Sequence, residues 1–496
     1  MSLERKIFGG VVWTAFDLLI NKGLGFVIKL FLARLLFPSD YGIIGMAVVF
    51  IAFARVLSES GIGPALVQID KSRLNKSHLD TTFWFSVIWA IAIYIVMALV
   101  VTPLAATFYA EPMLSRVIPI LSLSVLISPL NTVHRSQLNR AFQFKKIALI
   151  NNTASIVSGV AALVLAYTGF GVWTLVWYNV LPLIIMLPQL WKATGYRPGA
   201  AITKEAFQDI FNFGVVTTGT AIVVTFINQL DYLLVGKMVS KYALGLYTFA
   251  FLLTDVVRRQ IVTVLNSVMF PAYSVVQHDV DKLHQLYIRV VKVSVMAIYL
   301  PMTVLFVNTA PLIGLFFGEK WLGATTAVQL MVLAVMSNSI TSSHGALLRG
   351  MGQVGIEFKL QLFRAFILFA PALYYGIKIY GIEGAAAAVA LQQLLGLPFV
   401  LYFLNKVVGI SPGIMFKNLY PDVLSAVTAI AVGFIVREYL PATIPGLIGT
   451  ILAMTLSFGG AMYLIMGKDL FKLYHALTGI IKSKKDNRKF PTKVLE

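Results

Sequence analysis

Cysteine is absent from this chain of 496 residues, and charged residues are scarce. The absence of thiols excludes disulfide bonds, thiolate metal sites and cysteine nucleophiles. Asp, Glu, Lys and Arg together make up 12% of the residues, whereas soluble domains have about 25%. With 58% hydrophobic residues, the composition is typical of a membrane protein and leaves no stretch for a soluble domain.

The sequence motifs of common enzymes are also missing. The six histidines are scattered, and no zinc-protease, DxD-like, phosphate-loop or dinucleotide-binding pattern stands in a suitable context. The connections between apolar runs are too short to form an extramembrane domain that could hold a sugar donor. These absences favour transport over chemistry, and they leave a membrane glycosyltransferase, polymerase or ligase as the alternative from a different functional class.

Long apolar runs recur from one end of the chain to the other. Each is close to the ~20 residues that a helix needs to cross a bilayer, and Pro, Gly and charged clusters mark the boundaries. The sequence therefore predicts an all-α polytopic membrane protein with about fourteen transmembrane helices. The predicted spans are 9–36, 41–63, 81–108, 115–134, 146–167, 171–191, 210–236, 243–270, 286–308, 322–346, 355–378, 383–405, 416–437 and 446–467.

The net charge of +19 is explained by membrane orientation. Basic residues are concentrated in alternate connections, and by the positive-inside rule these connections and both termini are predicted to be cytoplasmic. The cytoplasmic group includes Lys292, and the few basic residues of the predicted outer loops are Arg34, Arg116, Lys237, Lys241, Lys320, Lys378 and Arg437. No nucleic-acid partner is needed to account for the charge.

An internal repeat divides the chain. LLFPSDYGIIG matches KMVSKYALGLY when Gly42 is aligned with Gly245, an offset of 203. Two further pairs are HRSQLNR from His134 with HGALLRG from His344, and GFGVW from Gly169 with YGIEGAA from Tyr380. The repeat predicts two pseudo-symmetric six-helix lobes plus two C-terminal helices, with a substrate site at the membrane midplane and rocking-type alternating access. The predicted domains are 1–195, 196–410, 411–467, and a cytoplasmic amphipathic helix with a basic tail at 468–496.

Six basic residues lie inside predicted spans, where a charge costs at least ~2.5 to 3.5 kcal/mol. They are Lys22, Lys29, Arg55, Arg258, Arg259 and Arg364, and all six are candidate substrate-binding residues. At the offset of 203, Arg258 falls opposite Arg55, so each lobe presents one arginine at the same depth. A structural interpretation remains open for Lys29, which can snorkel to the interface, and for Arg364, which can form a buried ion pair or snorkel toward the cytoplasm.

Acidic residues at helical spacing offer counter-ions for the arginines. Glu59 follows Arg55 by four residues, and Asp255 precedes both Arg258 and Arg259. Arg259, four residues after Asp255, is the better candidate for a structural pair, which leaves Arg258 for substrate.

A polar patch of Asn228, Gln229 and Asp231 in the seventh span is a candidate ion-coupling site, with a counter-ion role for Asp231 as the alternative. The excess of bases over acids inside the spans suits an anionic substrate held by charge-assisted hydrogen bonds.

Six sequence motifs occur in order along most of the chain: LARLLFPSDYGIIG, SGIGPALVQ, HRSQLNRAFQFKKIA, YRPG, MFPAYS and FGEKW. They resemble the motifs of Wzx-type lipid-linked oligosaccharide flippases near the colanic acid exporters. These belong to the multidrug/oligosaccharidyl-lipid/polysaccharide superfamily. The resemblance implies a flippase of the bacterial inner membrane that moves undecaprenyl-pyrophosphate-linked repeat units to the outer leaflet for O-antigen, capsule or exopolysaccharide synthesis.

The resemblance also implies a set of binding residues and partners. Basic residues on the first, second and eighth helices would face the substrate, here Lys22, Arg55 and Arg258. No cofactor is expected beyond a proton or sodium gradient. The implied partners are the lipid-linked oligosaccharide, membrane lipids and the polysaccharide polymerase and export machinery. A cation-coupled multidrug exporter of the same fold is the nearest alternative.

Overall fold

The computed structural model describes residue 21 and residues 23–59, 66 and 75–467. Lys22 and the predicted amphipathic tail lie outside these ranges, as does the side chain of Arg259.

Helices make up nearly all of the described chain, and no β-strand occurs within it. In chain order they are α1 (23–35), α2 (Pro38–Glu59), α3 (Lys76–Tyr109), α4 (Leu114–Arg140), α5 (Phe144–Tyr167), α6 (Val172–Thr194), α7 (Lys204–Met238), α8 (Lys241–Val275), α9 (Val280–Phe317), α10 (Glu319–Gly350), α11 (354–380), α12 (382–408), α13 (Pro412–Tyr439) and α14 (Ile444–Met466). Three of them contain a π-helical turn, in α3 at Met97–Val101, in α9 at Ile313–Phe317 and in α11 at Phe363–Phe369.

Eleven helices in the described ranges are long and apolar enough to cross a membrane. One of these is the 55-residue run Val354–Val408, which at 1.5 Å per residue would be about 80 Å long, more than twice the hydrocarbon thickness. It divides at Gly381, whose φ of 58° and ψ of −129° are not helical, and gives α11 and α12. The predicted fold class is confirmed, while the number of fourteen crossings stays a prediction because α1 and α8 are not among the eleven.

The chain packs as two compact units. Unit one comprises Met1–Leu252, Phe316–Ala327 and Phe369–Ala388, and unit two comprises Leu253–Leu315, Val328–Leu368 and Val389–Glu496. In unit one, α2 packs against α4, α6 and α7, and α3 packs against α4. In unit two, α13 and α14 pack against each other and against α9. The predicted domain boundaries stay a prediction.

The internal repeat is visible in the backbone as well as in the sequence. Gly171 has φ 53° and ψ −128°, and Gly381, 210 residues later, has φ 58° and ψ −129°. An L-residue with a β-carbon rarely adopts this conformation, so glycine is required at both turns. Phe142 and Gly352, again 210 apart, both have positive φ, at 53° and 73°. The backbone therefore repeats at an offset of 210 within and next to motifs that the sequence pairs, as the predicted pseudo-symmetry requires.

Candidate functional site

The α2–α8 crossing brings two helix backbones into direct contact inside unit one. A β-carbon added to Gly42 would lie 1.7 Å from the carbonyl oxygen of Lys241, and one added to Gly245 would lie 1.7 Å from that of Pro38. Only glycine permits such an approach. Because Gly42 and Gly245 are 203 residues apart, as are Pro38 and Lys241, the same contact is made twice.

The FGEKW segment flanks this crossing on one side. Trp321 is fully buried, and its indole Nε1 donates a hydrogen bond to the carbonyl oxygen of Ala33 at 2.8 Å. Lys320 Nζ donates to the carbonyl oxygen of Arg34 at 2.8 Å. The Trp321 ring also stacks on Phe249 of α8, with 4.4 Å between ring centroids. The tip between α9 and α10 is thereby fastened to the end of α1.

The end of α3 flanks the crossing on the other side. Lys237 Nζ donates to the carbonyl oxygen of Phe108 and lies 4.8 Å from the centroid of the Phe108 ring, a cation–π distance. Lys241 Nζ lies 2.8 Å from a carboxylate oxygen of Glu111. The end of α3 is therefore fastened to α7 and α8.

We use the name seal for the α2–α8 crossing together with these two sets of flanking contacts. Its basic members Arg34, Lys237, Lys241 and Lys320 are all residues predicted to lie in outer loops. An outer-face position of the seal stays a prediction.

The predicted substrate-binding residues of the first two helices are solvent- or lipid-accessible where they are described. Lys29 on α1 and Arg55 on α2 are both exposed. Glu59, the counter-ion expected for Arg55, is exposed at the end of the same helix. Lys22 lies outside the described residues.

Arg258 on α8 forms the ion pair that was expected for its neighbour. Its Nε donates to Asp255 Oδ1 at 2.8 Å, and its Nη2 donates to the same oxygen. Asp255 is largely buried, with 11% of its side chain exposed, while Arg258 is 31% exposed. The interpretation that left Arg258 unpaired and gave Asp255 to Arg259 is therefore wrong for Arg258. The reason is geometric, because a spacing of three residues on a helix brings the two groups together as readily as a spacing of four.

Asp231 is buried between α7 and α8 and does not share a patch with its polar neighbours. Tyr247 donates its hydroxyl to Asp231 Oδ2 at 3.0 Å, and the backbone nitrogen of Tyr232 donates to Oδ1 at 2.9 Å. Asn228 is exposed and Gln229 is half-buried, and in the described residues neither amide bonds to the Asp231 carboxylate. The ion-coupling role of these three residues stays a prediction.

Arg364 lies on the π-helical segment of α11, and its guanidinium bonds to a side-chain amide instead of a carboxylate. Its Nη2 donates to Gln393 Oε1 on α12, and Asn338 Nδ2 on α10 donates to the same oxygen at 3.0 Å. Arg364 Nε is buried without a hydrogen-bond partner. Gly396 faces it so closely that a β-carbon there would lie 2.7 Å from Nε.

A buried ion pair in unit two was not predicted. Lys292 Nζ on α9 donates to Asp422 Oδ2 on α13 at 2.6 Å and to the carbonyl oxygen of Asn418 at 2.7 Å. Only 7% of the Lys292 side chain and none of the Asp422 side chain is exposed. Lys292 is therefore a buried, paired residue between α9 and α13, and its assignment to the cytoplasmic side stays a prediction. The available signal was Asp422, an acid inside a predicted span.

A resident metal site is not visible in the part of the chain that the structure describes, where no group of three or more His, Cys, Asp and Glu side chains could hold an ion.

Comparison with known proteins identifies the family and the fold. The model of the polysaccharide biosynthesis protein family matches residues 31–326, more than half of the chain. The lipopolysaccharide biosynthesis protein WzxC of Escherichia coli (strain K12) is 25% identical over 402 residues, covering 80% of each chain. The succinoglycan biosynthesis transport protein ExoT of Rhizobium meliloti (strain 1021) is 23% identical over 466 residues, covering 93% of this chain and 92% of the relative.

Two solved structures share the fold. The lipid II flippase MurJ in an inward closed conformation superposes with a TM-score of 0.76 at 13% identity, covering 93% of this chain and all of the other. An inward-facing multidrug resistance MATE family transporter gives 0.62 at 15% identity, covering 80% and 98%. At these identities the structures establish the fold alone. The family match confirms the predicted resemblance, and the chain belongs to the polysaccharide biosynthesis protein family.

Proposed function

We propose that this chain is a flippase that moves undecaprenyl-pyrophosphate-linked oligosaccharide repeat units from the cytoplasmic to the outer leaflet of the bacterial inner membrane. It would work by alternating access and supply polysaccharide synthesis outside the cell. WzxC and ExoT, which match four fifths or more of the chain, carry names from lipopolysaccharide and succinoglycan biosynthesis, and ExoT is named as a transport protein.

The seal is the observation that carries a transport mechanism. Alternating access requires contacts that close one end of a pathway and can be released again. The seal consists of a close backbone crossing, hydrogen bonds to carbonyl oxygens worth about 0.5 to 1.5 kcal/mol net each, one partly exposed ion pair and two aromatic contacts. Such contacts hold a closed state without making it permanent.

The basic residues favour an anionic cargo. Arg55 is exposed, and Arg258 is partly exposed with Asp255 as its partner. Arginine offers forked donors that match pyrophosphate oxygens, so pyrophosphate can exchange with the Asp255 carboxylate. A proton or sodium gradient would drive the cycle, with Asp231 as the group that binds the coupling ion.

Reconstitution in vesicles tests this proposal through the seal. Vesicles of phosphatidylcholine would be loaded with a short-chain prenyl-pyrophosphate oligosaccharide, and a membrane-impermeant lectin would report glycan that reaches the outside. Gly42→Ala places a β-carbon against the Lys241 carbonyl and prevents closure, so we expect transport at least tenfold slower than wild type. Gly459→Ala, on α14 with nothing within 4 Å of the added atom, is the matched control.

A double charge reversal tests the cargo. We expect Arg55→Glu with Arg258→Glu to abolish glycan exposure, and unchanged transport would overturn the assigned roles. Mass spectrometry of the glycan after incubation separates transport from chemistry, because a polymerase or ligase changes the glycan mass. Export of cationic dyes with no movement of the glycan would favour the multidrug alternative.

A further inference from the structure

Among the described residues, Arg364 is a charge inside a predicted span without a carboxylate partner. In the described residues no Asp or Glu lies within salt-bridge distance of its guanidinium, whose recorded hydrogen-bond acceptor is the neutral Gln393. The nearby acid Glu357 is bonded instead to Arg349, at 2.5 Å. An arginine at bilayer depth costs at least ~2.5 to 3.5 kcal/mol, so a group that keeps its charge there requires a compensating ligand.

The groups around Arg364 are arranged to accept an anion. Gln393 Oε1 receives hydrogen bonds from both Arg364 and Asn338, which fixes the amide so that its NH₂ group remains a donor. Arg364 Nε is a second unused donor. Three residues from α10, α11 and α12 therefore converge with donors in excess of acceptors, the balance that an oxyanion requires.

Local backbone structure supports the same interpretation. The π-helical segment Phe363–Phe369 shifts the register of α11 around Arg364, and π-turns of this kind occur frequently at functional sites. Gly396 on α12 leaves the space that the guanidinium fills, since an added β-carbon would lie 2.7 Å from Nε and 3.4 Å from Cζ. Arg364, Gln393 and Asn338 are each half-buried, so none of the three side chains is fully enclosed.

We infer that Arg364, Gln393 and Asn338 form an oxyanion subsite that binds a phosphate group, with Gly396 keeping the guanidinium in place. The inference rests on the proposed function in naming the pyrophosphate of the cargo as the source of that phosphate. A phospholipid headgroup offers the same chemistry and is the second source to be tested.

Binding measurements test the subsite without requiring transport. The protein in phosphatidylcholine nanodiscs would be titrated with inorganic pyrophosphate and with geranyl pyrophosphate by calorimetry. We expect Arg364→Gln to weaken binding of both about tenfold, because a charge-assisted forked bond is lost. Arg364→Lys, which keeps the charge without the fork, should lose about threefold. Thermal unfolding of each variant checks that the fold persists.

A glycine pair supplies a test that leaves Arg364 intact. Gly396→Ala pushes the guanidinium away from Gln393 and should weaken pyrophosphate binding severalfold. Gly355→Ala, at the start of α11 with nothing within 4 Å, should bind as wild type. If Gly396→Ala folds poorly, Arg364→Gln and Arg364→Lys still decide the question.

Nanodiscs containing phosphatidylglycerol distinguish the two sources. If phosphatidylglycerol competes with pyrophosphate only when Arg364 is present, the lipid headgroup shares the subsite. Wild-type affinity of Arg364→Gln for both pyrophosphate probes and for phosphatidylglycerol overturns the inference. Failure of the proposed function is separate, since vesicles that show no flipping can still show Arg364-dependent binding.

Discussion

Two cations of unit two, Lys292 and Arg364, differ in their hydrogen-bond partners: the first has a carboxylate and the second a neutral amide. Lys292 is enclosed with Asp422 and a backbone carbonyl, and neither side chain is accessible. Arg364 is half-buried against an amide that cannot cancel its charge. The first arrangement is charge-balanced without a ligand and holds α9 against α13, while the second is charge-balanced only when an anion binds. Arg258 lies between them, since it has a carboxylate partner but remains partly exposed.

Removing one member of the closed pair has the largest expected effect. Asp422→Asn leaves the Lys292 ammonium buried without a counter-charge, which costs about 3 to 5 kcal/mol. We expect a clear fall in unfolding temperature in detergent, followed by tryptophan fluorescence. The double variant Lys292→Met with Asp422→Leu should recover most of the loss, because a well-packed apolar pair can replace a buried ion pair. A single variant as stable as wild type would contradict the structural role.

Neutralising Arg364 in the proposed oxyanion subsite has the next largest expected effect. Gln393→Glu gives Arg364 a carboxylate partner, so we expect pyrophosphate affinity to fall about tenfold with no loss of stability. Gln392→Glu adds the same charge one residue away, about 100° around the helix, and should have a smaller effect. Equal losses in the two variants would show that general repulsion, and not neutralisation of Arg364, is measured.

Removing the carboxylate partner of Arg258 has the smallest expected effect. Asp255→Asn leaves Arg258 with an amide partner, as Arg364 has, and should raise pyrophosphate affinity about threefold. The control is Asp279→Asn, which removes an exposed pair with Lys282 at the same spacing of three residues. An unchanged affinity in Asp255→Asn would mean that Arg258 does not meet the cargo phosphate.

Local and repetitive features were the ones that the sequence could predict. Helix positions follow from apolar runs, and the repeat follows from motif pairs such as those around Gly171 and Gly381. The observed helices overrun the predicted spans, as α7 does by beginning at Lys204, because backbone hydrogen bonding continues past the apolar segment into polar turns.

Features that depend on tertiary packing were not predictable in the same way. Asp255 has two arginines within helical reach, and only the folded chain shows that Arg258 donates to its carboxylate. The sequence shows Lys292 only as one member of a basic group, and its pairing with Asp422 is seen only when α13 is packed against α9. Gln393 follows another glutamine and Asn338 lies between two serines. Nothing in their spacing indicates that Gln393 Oε1 accepts hydrogen bonds from both Asn338 and Arg364.

The doubled contact of the α2–α8 crossing has a consequence for how such a chain could arise. Gly42 meets Lys241 as Gly245 meets Pro38, which is the relation that residues have across an isologous interface between identical subunits. A protein made of one half alone would present a self-complementary patch and could close by pairing with a second copy. Fusion of two such copies would place both patches in one polypeptide, and would let each half diverge while the crossing itself stayed two-fold.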